Sequence, residues 1–225
     1  MGQSSHDELD LVITTMAKTI VDNADYFAQL DSIVGDGDFG YSLRNGWEVI
    51  LAEYDGWELP TTGAVLKKVG ATLAGKVGGV SGPMWGTAFL RAGVTAGDKE
   101  DIAPEDVIEM LRAAIAGIML RGGAQLGDKT LLDALAPVTD SLEASIADPA
   151  MHGDHGAAAI QRAADVAVKA AEDTMGMLAL RGRAAYTGER SRDSVDAGAT
   201  AIGVILQAIA AAWREAYGNA QEAGS

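Results

Sequence analysis

Apolar residues recur at three- and four-residue steps along almost the whole chain. Leu9, Val12, Ile13, Met16, Ile20 and Val21 share one helix face. Asp7 or Ser5 stands where that first helix would be capped. The same spacing predicts helices over about 41–54 and about 62–74, and a fourth after Pro83, a residue suited to a first helical turn. Pro104 opens a fifth, with Val107, Ile108, Leu111, Ile115, Ile118 and Met119 on its face. It ends at Arg121-Gly122-Gly123, a basic last turn followed by glycines. A sixth helix is predicted over about 129–146, with a kink or break at Pro137. An alanine-rich seventh covers about 155–178, and an eighth about 199–217. No stretch alternates as a half-buried strand does. The pattern predicts an all-α fold: one domain over residues 1–225, built as about eight antiparallel helices.

The connections are unusual. VGDGDFG, VGGVSGPMWGT, RGGAQLGDKT and RGRAAYTGERSRDSVDAGAT are glycine-rich and each runs into a predicted helix start. In an up-and-down bundle alternate connections share one end. These follow predicted helices one, three, five and seven, so all four are expected together, as a composite site on a rigid scaffold.

Net charge narrows what that site can take. At −15 the chain repels nucleic-acid backbones, so no nucleic-acid partner is expected. A bound phosphate would need metal ions, local arginines or backbone N–H groups. The chain has no cysteine, which fits a reducing compartment, and its start, MGQSSHDELDL, shows no secretory pattern. A cytoplasmic setting is expected. The most apolar run, AGATAIGVILQAIAAAW, is shorter than the roughly 20 residues of a bilayer span, so a buried helix and no membrane contact are expected.

In LDSIVGDGDFGYS, Asp31, Asp36 and Asp38 fall within eight residues. Carboxylate oxygens suit a hard cation such as Mg²⁺, and Gly35 and Gly37 let the loop turn tightly enough to aim them at one point. Asp-Gly pairs are equally turn signals. Gly78-Gly79-Val80-Ser81-Gly82-Pro83 opens a helix, where free N–H groups attract anions; a tight helix–helix turn is the alternative. Gly127-Asp128-Lys129-Thr130 reads as a structural helix start. Arg181, Arg183, Arg190 and Arg192 either bind an anion or pair with the acidic surface, and Asp193 or Asp196 can cap the last helix. His152, Asp154 and His155 lack a third strong zinc ligand. Trp47, Trp57, Trp85, Trp213, Met175 and Met177 read as packing residues.

Taken in order, LDSIVGDGDFG, GGVSGPMWGTAFLRA, GDKTLLDALAPV and GRAAYTGERSRDSVDAGAT resemble the nucleotide-binding L subunit of dihydroxyacetone kinase over nearly the whole chain. The resemblance implies an eight-helix antiparallel barrel with ADP or ATP at one end. It implies two Mg²⁺ ions held by Asp31, Asp36 and Asp38, and nucleotide contacts from Phe39, Gly40, Ser42, Val80, Ser81, Gly122, Leu131, Arg183, Asp196 and Gly198. It implies a separate K subunit that holds dihydroxyacetone or a related short ketose on a histidine. In phosphotransferase-system members an M subunit rephosphorylates resident ADP; in ATP-dependent members K and L are usually fused. A free L chain favours the former, in a homodimer or hetero-oligomer. The alternatives are an ATP-dependent ketose kinase subunit and a nucleotide-bound regulator without catalysis. One residue departs from the family pattern: Phe39 stands where histidine is usual, keeping a flat ring without its two nitrogens.

Overall fold

The computed structural model describes residues 5–148 and 156–218. Nine α-helices lie among them: α1 (Ser5–Asp22), α2 (Ala24–Val34), α3 (Phe39–Glu53), α4 (Thr62–Lys76), α5 (Ser81–Ala96), α6 (Pro104–Gly122), α7 (Leu132–Ile146), α8 (Ala157–Asp173) and α9 (Ala197–Tyr217). The described residues contain no strand.

The periodic face of α1 buries Ile13, Ala17 and Ile20 completely. The pattern missed α2, which begins after a break of one residue. At Asn23 (φ −102°, ψ 11°) the helix bends. The Asn23 side chain donates back to the Thr19 carbonyl at 2.8 Å, and Phe27 N–H still reaches the Asn23 carbonyl at 3.0 Å. Both α1 and α2 pack on α3 and α9. They therefore act as one bent rod. From α3 onward each helix packs on its predecessor, and α9 returns to α1, so the ring closes. The expected antiparallel eight-rod barrel is present, with its first rod broken in two.

Small residues set the spacing of the rods. A Cβ at Gly70 of α4 would lie 2.8 Å from the Gly86 carbonyl of α5, so these backbones touch where any side chain would separate them. Ala163, Ala164, Ala167 and Ala171 bury the α8 face against α9. Trp47, Phe27, Leu43 and Leu73 fill the interior. α9 is long and apolar enough to cross a membrane by length and composition, but Ala201, Ile205 and Ala210 pack into the barrel wall.

Boundaries move where the backbone turns left-handed. α7 starts at Leu132 rather than near 129 because Lys129 has φ 62°. α7 then runs through Pro137 without interruption. α8 stops at Asp173, and Gly176 (φ 82°) turns the chain away. Met175 is 53% exposed rather than packed. His152, Asp154 and His155 lie outside the described residues.

Candidate functional site

The acidic loop spans the turn from α2 to α3. Asp31 lies in the last turn of α2, Asp38 immediately precedes α3, and Gly37 (φ 74°) supplies the left-handed step between them. One carboxylate oxygen from each of Asp31, Asp36 and Asp38 lies within 4.8 Å of the others. Phe39 N–H donates to Asp31 Oδ2 at 3.4 Å. Burial pushes the Asp31 carboxyl above its ordinary range against that bond and the Gly37 N–H. At Asp36 desolvation pulls upward too, but the Arg183 guanidinium and the loop's hydrogen bonds outweigh it and hold the carboxyl low. Arg183 bridges the pair, donating to Asp36 and, at 2.7 Å, to Asp38.

Across from these acids lies the start of α5. No side chain caps it, so its first N–H groups keep their pull on anions. Gly79 (φ 62°) makes the turn, and the Arg183 guanidinium lies beside it, 3.7 Å from where a Cβ would stand. Gly82 packs directly under the Val77 carbonyl, while Gly79, Val80 and Ser81 face a cleft of about 230 Å³.

That cleft draws on four alternate connections, those entering α3, α5, α7 and α9. Its far wall is apolar, formed by Met84, Ile118, Ala124 and Leu131 from the small core cluster between α5, α6 and α7. Asp196 closes the floor. Its Oδ2 accepts from Ala199 N–H at 2.7 Å as the cap of α9, and burial pushes the carboxyl up to about 6. Gly198 brings the α9 backbone against Leu131.

Of the residues singled out from sequence, Asp31, Asp38, Phe39, Val80, Ser81, Gly122, Leu131, Arg183, Asp196 and Gly198 line this cleft. Asp36 sits at its edge, joined through Arg183. Two others stand back. Gly40 is buried where α3 crosses α2, and a Cβ there would strike the Ala24 carbonyl. Ser42 lies one turn along α3, with its hydroxyl near Gly78. The arginines divide. Arg181 pairs with Asp128 at 3.0 Å at the cleft wall, whereas Arg190 donates to the Ile33 carbonyl at 3.2 Å and Arg192 to Glu189 and the Gly176 carbonyl. Sequence reasoning passed over Met84 and Lys129 as cleft residues. Met84 has no signal beyond its place one turn into α5.

Three converging carboxylates, two of them paired with one guanidinium, are a donor set for a hard divalent cation. A cleft with an acidic rim, an uncapped helix start and an apolar end suits a ligand that is polyanionic at one end and flat at the other. The protein is thus an α-helical barrel whose cleft is assembled from the connections at one end.

The chain belongs to the DAK2 domain family, whose model matches residues 33–211. It is 34% identical over 196 residues to the ADP-binding subunit DhaL of the PEP-dependent dihydroxyacetone kinase of Escherichia coli, covering 85% of this chain and 90% of that one. It is 33% identical over 202 residues to the D-erythrulose kinase of Mycolicibacterium smegmatis, covering 87% of this chain and 33% of that one. The crystal structure of the dihydroxyacetone kinase of C. freundii in complex with AMP-PNP and Mg²⁺ superimposes with a TM-score of 0.69 at 25% identity, over 94% of this chain and 34% of that one. The resemblance read from the sequence is borne out, and so is the kinase class.

Proposed function

We propose that this chain is the nucleotide-binding subunit of a dihydroxyacetone-type kinase. It hands a phosphoryl group to dihydroxyacetone, or to a related short ketose, held on a separate K subunit. The observation that carries the reading is the meeting of Asp31, Asp36, Asp38, Arg183 and the α5 start at one end of a cleft whose other end is apolar. The reading also rests on likeness to an ADP-binding subunit that is 90% covered by this chain, and to a kinase seen with AMP-PNP and Mg²⁺.

Asp31, Asp36 and Asp38 would hold Mg²⁺, two ions in our reading, which supplies charge neutralisation for the phosphates. The chain's own groups bind and orient. The α5 N–H groups and the Ser81 hydroxyl take the phosphate oxygens, and Arg183 is placed to fork onto them. Met84, Ile118, Gly122 and Leu131 bound the slot for the base. The Phe39 ring lies tilted against Phe27 (centroids 6.3 Å apart, planes at 53°) and offers no hydrogen bond, so it packs at the phosphate end without steering a ligand. No side chain is needed as a nucleophile, because phosphoryl transfer is accelerated chiefly by position and charge. The chain acts as one domain in the cytoplasm, with ADP as a resident cofactor that an M subunit rephosphorylates.

A second reading has an observation of its own. Identity to the erythrulose kinase equals that to the ADP-binding subunits within a few percent, so likeness alone serves an ATP-exchanging subunit for a four-carbon ketose equally well. One experiment separates them: purify the chain without added nucleotide, denature it, and identify what is released, with and without prior EDTA. Stoichiometric ADP, lost after EDTA, supports the resident cofactor. An empty protein that transfers phosphate from ATP to a K subunit supports the second reading. An empty protein that binds neither nucleotide with Mg²⁺ overturns both.

A further inference from the structure

Lys129 lies at the base of the cleft and is only 3% exposed. It is the one non-glycine residue among those described with a left-handed backbone (φ 62°), an arrangement that costs energy unless its surroundings require it. Its ammonium donates to three main-chain carbonyls: Ser191, Ser194 at 2.5 Å and Met177 at 3.3 Å. A lysine has three N–H donors and no acceptor. All three are therefore committed to the chain itself, and none is left for a phosphate.

The three carbonyls bracket the segment 177–194, which is 3₁₀-helical over Arg183–Asp193 apart from a kink at Gly188, carries Arg181 and Arg183, and leads directly to Asp196. The turn that bears Lys129 grips the same segment twice more. The Asp128 carbonyl accepts from Leu180 N–H at 3.0 Å, and the Asp128 carboxylate pairs with Arg181. Burial weakens the ammonium's hold on its proton, lowering its pKa from the ordinary lysine range; Asp196 and Asp193 counter this and Arg192 adds to it.

We infer that Lys129 is a positioning residue: its ammonium gathers the 177–194 segment so that Arg183 and Asp196 stand at the cleft. It acts through those residues and touches no ligand. The inference rests on the nucleotide reading only for its affinity readout.

The test compares K129M with the unaltered protein well below either melting midpoint, by amide hydrogen exchange and by titration with ADP and Mg²⁺. K129M fills the same volume without the donors. Exchange within 177–194 is expected to quicken at least tenfold while α4 and α5 stay protected, and ADP affinity is expected to fall at least tenfold. K129Q, which keeps two donors, is expected to fall between and serves if K129M does not fold. Unchanged protection of 177–194 overturns the inference. So does a loosened segment with unchanged ADP affinity, or loss of the whole fold in both variants. If the unaltered protein binds no adenine nucleotide, the nucleotide reading fails, while the exchange comparison still decides whether Lys129 holds the segment.

Discussion

The two ends of the barrel are built from the same helices and treat their helix starts differently. At the end away from the cleft the chain satisfies itself. Thr61 Oγ1 accepts from Ala64 N–H at 3.2 Å at the start of α4, and Asp106 turns back to the Ala103 N–H at 2.9 Å at the start of α6. There Tyr54 donates to Asp10 at 2.7 Å, beside a second hollow lined by His6, Asp55 and Trp57. At the cleft end, α3 and α5 begin without a side-chain cap, and the carboxylates nearby pair with an arginine brought from 145 residues away. Side chains secure the starts of α4 and α6 at the far end, and at the cleft end Asp196 does the same for α9; α3 and α5 there keep their first N–H groups available to something outside the chain. A bound ligand is thus expected to complete the second end as capping residues complete the first.

Four perturbations break or sharpen this contrast. The largest effect is expected from D36A, which should lower Mg²⁺-dependent ADP affinity by more than about 100-fold, or roughly 2.7 kcal/mol. Its helical circular dichroism should persist, because Asp36 is 48% exposed and an exposed, solvent-screened ion pair contributes little to the fold. Titration calorimetry checks it, and full affinity would sink the metal assignment.

Next comes acidity. Asp196 is raised from 3.8 to about 6 by burial, so the folded protein holds that proton over a range where the unfolded chain has released it. The stability this gives is fully present below pH 3.8, falls as pH rises to about 6, and is flat above. Against D196N, whose side chain does not titrate, the difference in unfolding free energy should shift by roughly 3 kcal/mol across that window. A flat difference would show that the carboxyl titrates as an ordinary aspartate.

R183A should weaken ADP binding about tenfold, near 1.4 kcal/mol, since it removes a fork but leaves the carboxylates. Retained affinity would assign Arg183 to folding of its own loop. The smallest effect belongs to the far end. Y54F removes one hydrogen bond, at about 1 kcal/mol of stability, and should leave ADP affinity unchanged. A denaturant midpoint together with the same titration decides whether the two ends are independent.

Much of this was legible in the chain, for reasons that differ by region. The long rods α4, α6 and α9 follow from apolar spacing because each buries one continuous face. The clustering of four connections followed from counting antiparallel turns. α2 was not legible. It is 11 residues long, follows α1 with one residue between, and buries only Ala24, Phe27, Ala28 and Val34, too little for a period to show. The arginine loop could be read as anion-binding or as surface pairing. In the structure both arginines pair with carboxylates: Arg183 reaches Asp36 and Asp38 of the acidic loop across the barrel, while Arg192 folds back on Glu189 of its own segment. Lys129 was hidden for a related reason. Gly127-Asp128-Lys129-Thr130 looks like a helix start and is one, with Asp133 accepting from the Thr130 N–H at 2.7 Å. Its ammonium, however, acts on carbonyls 48, 62 and 65 residues away, beyond the reach of any local pattern.

The cleft takes its first acid from Asp31 and its last backbone turn from Gly198, with each intervening hairpin adding a share. No fragment shorter than that span can therefore carry the whole cleft. Occupancy must report on the completed ring: a half-assembled chain has nothing to offer a ligand, and a bound ligand resists the opening of every seam at once. A molecule that binds here is in effect a clasp on the whole barrel, so proteases should find the liganded protein closed even at connections the ligand never touches.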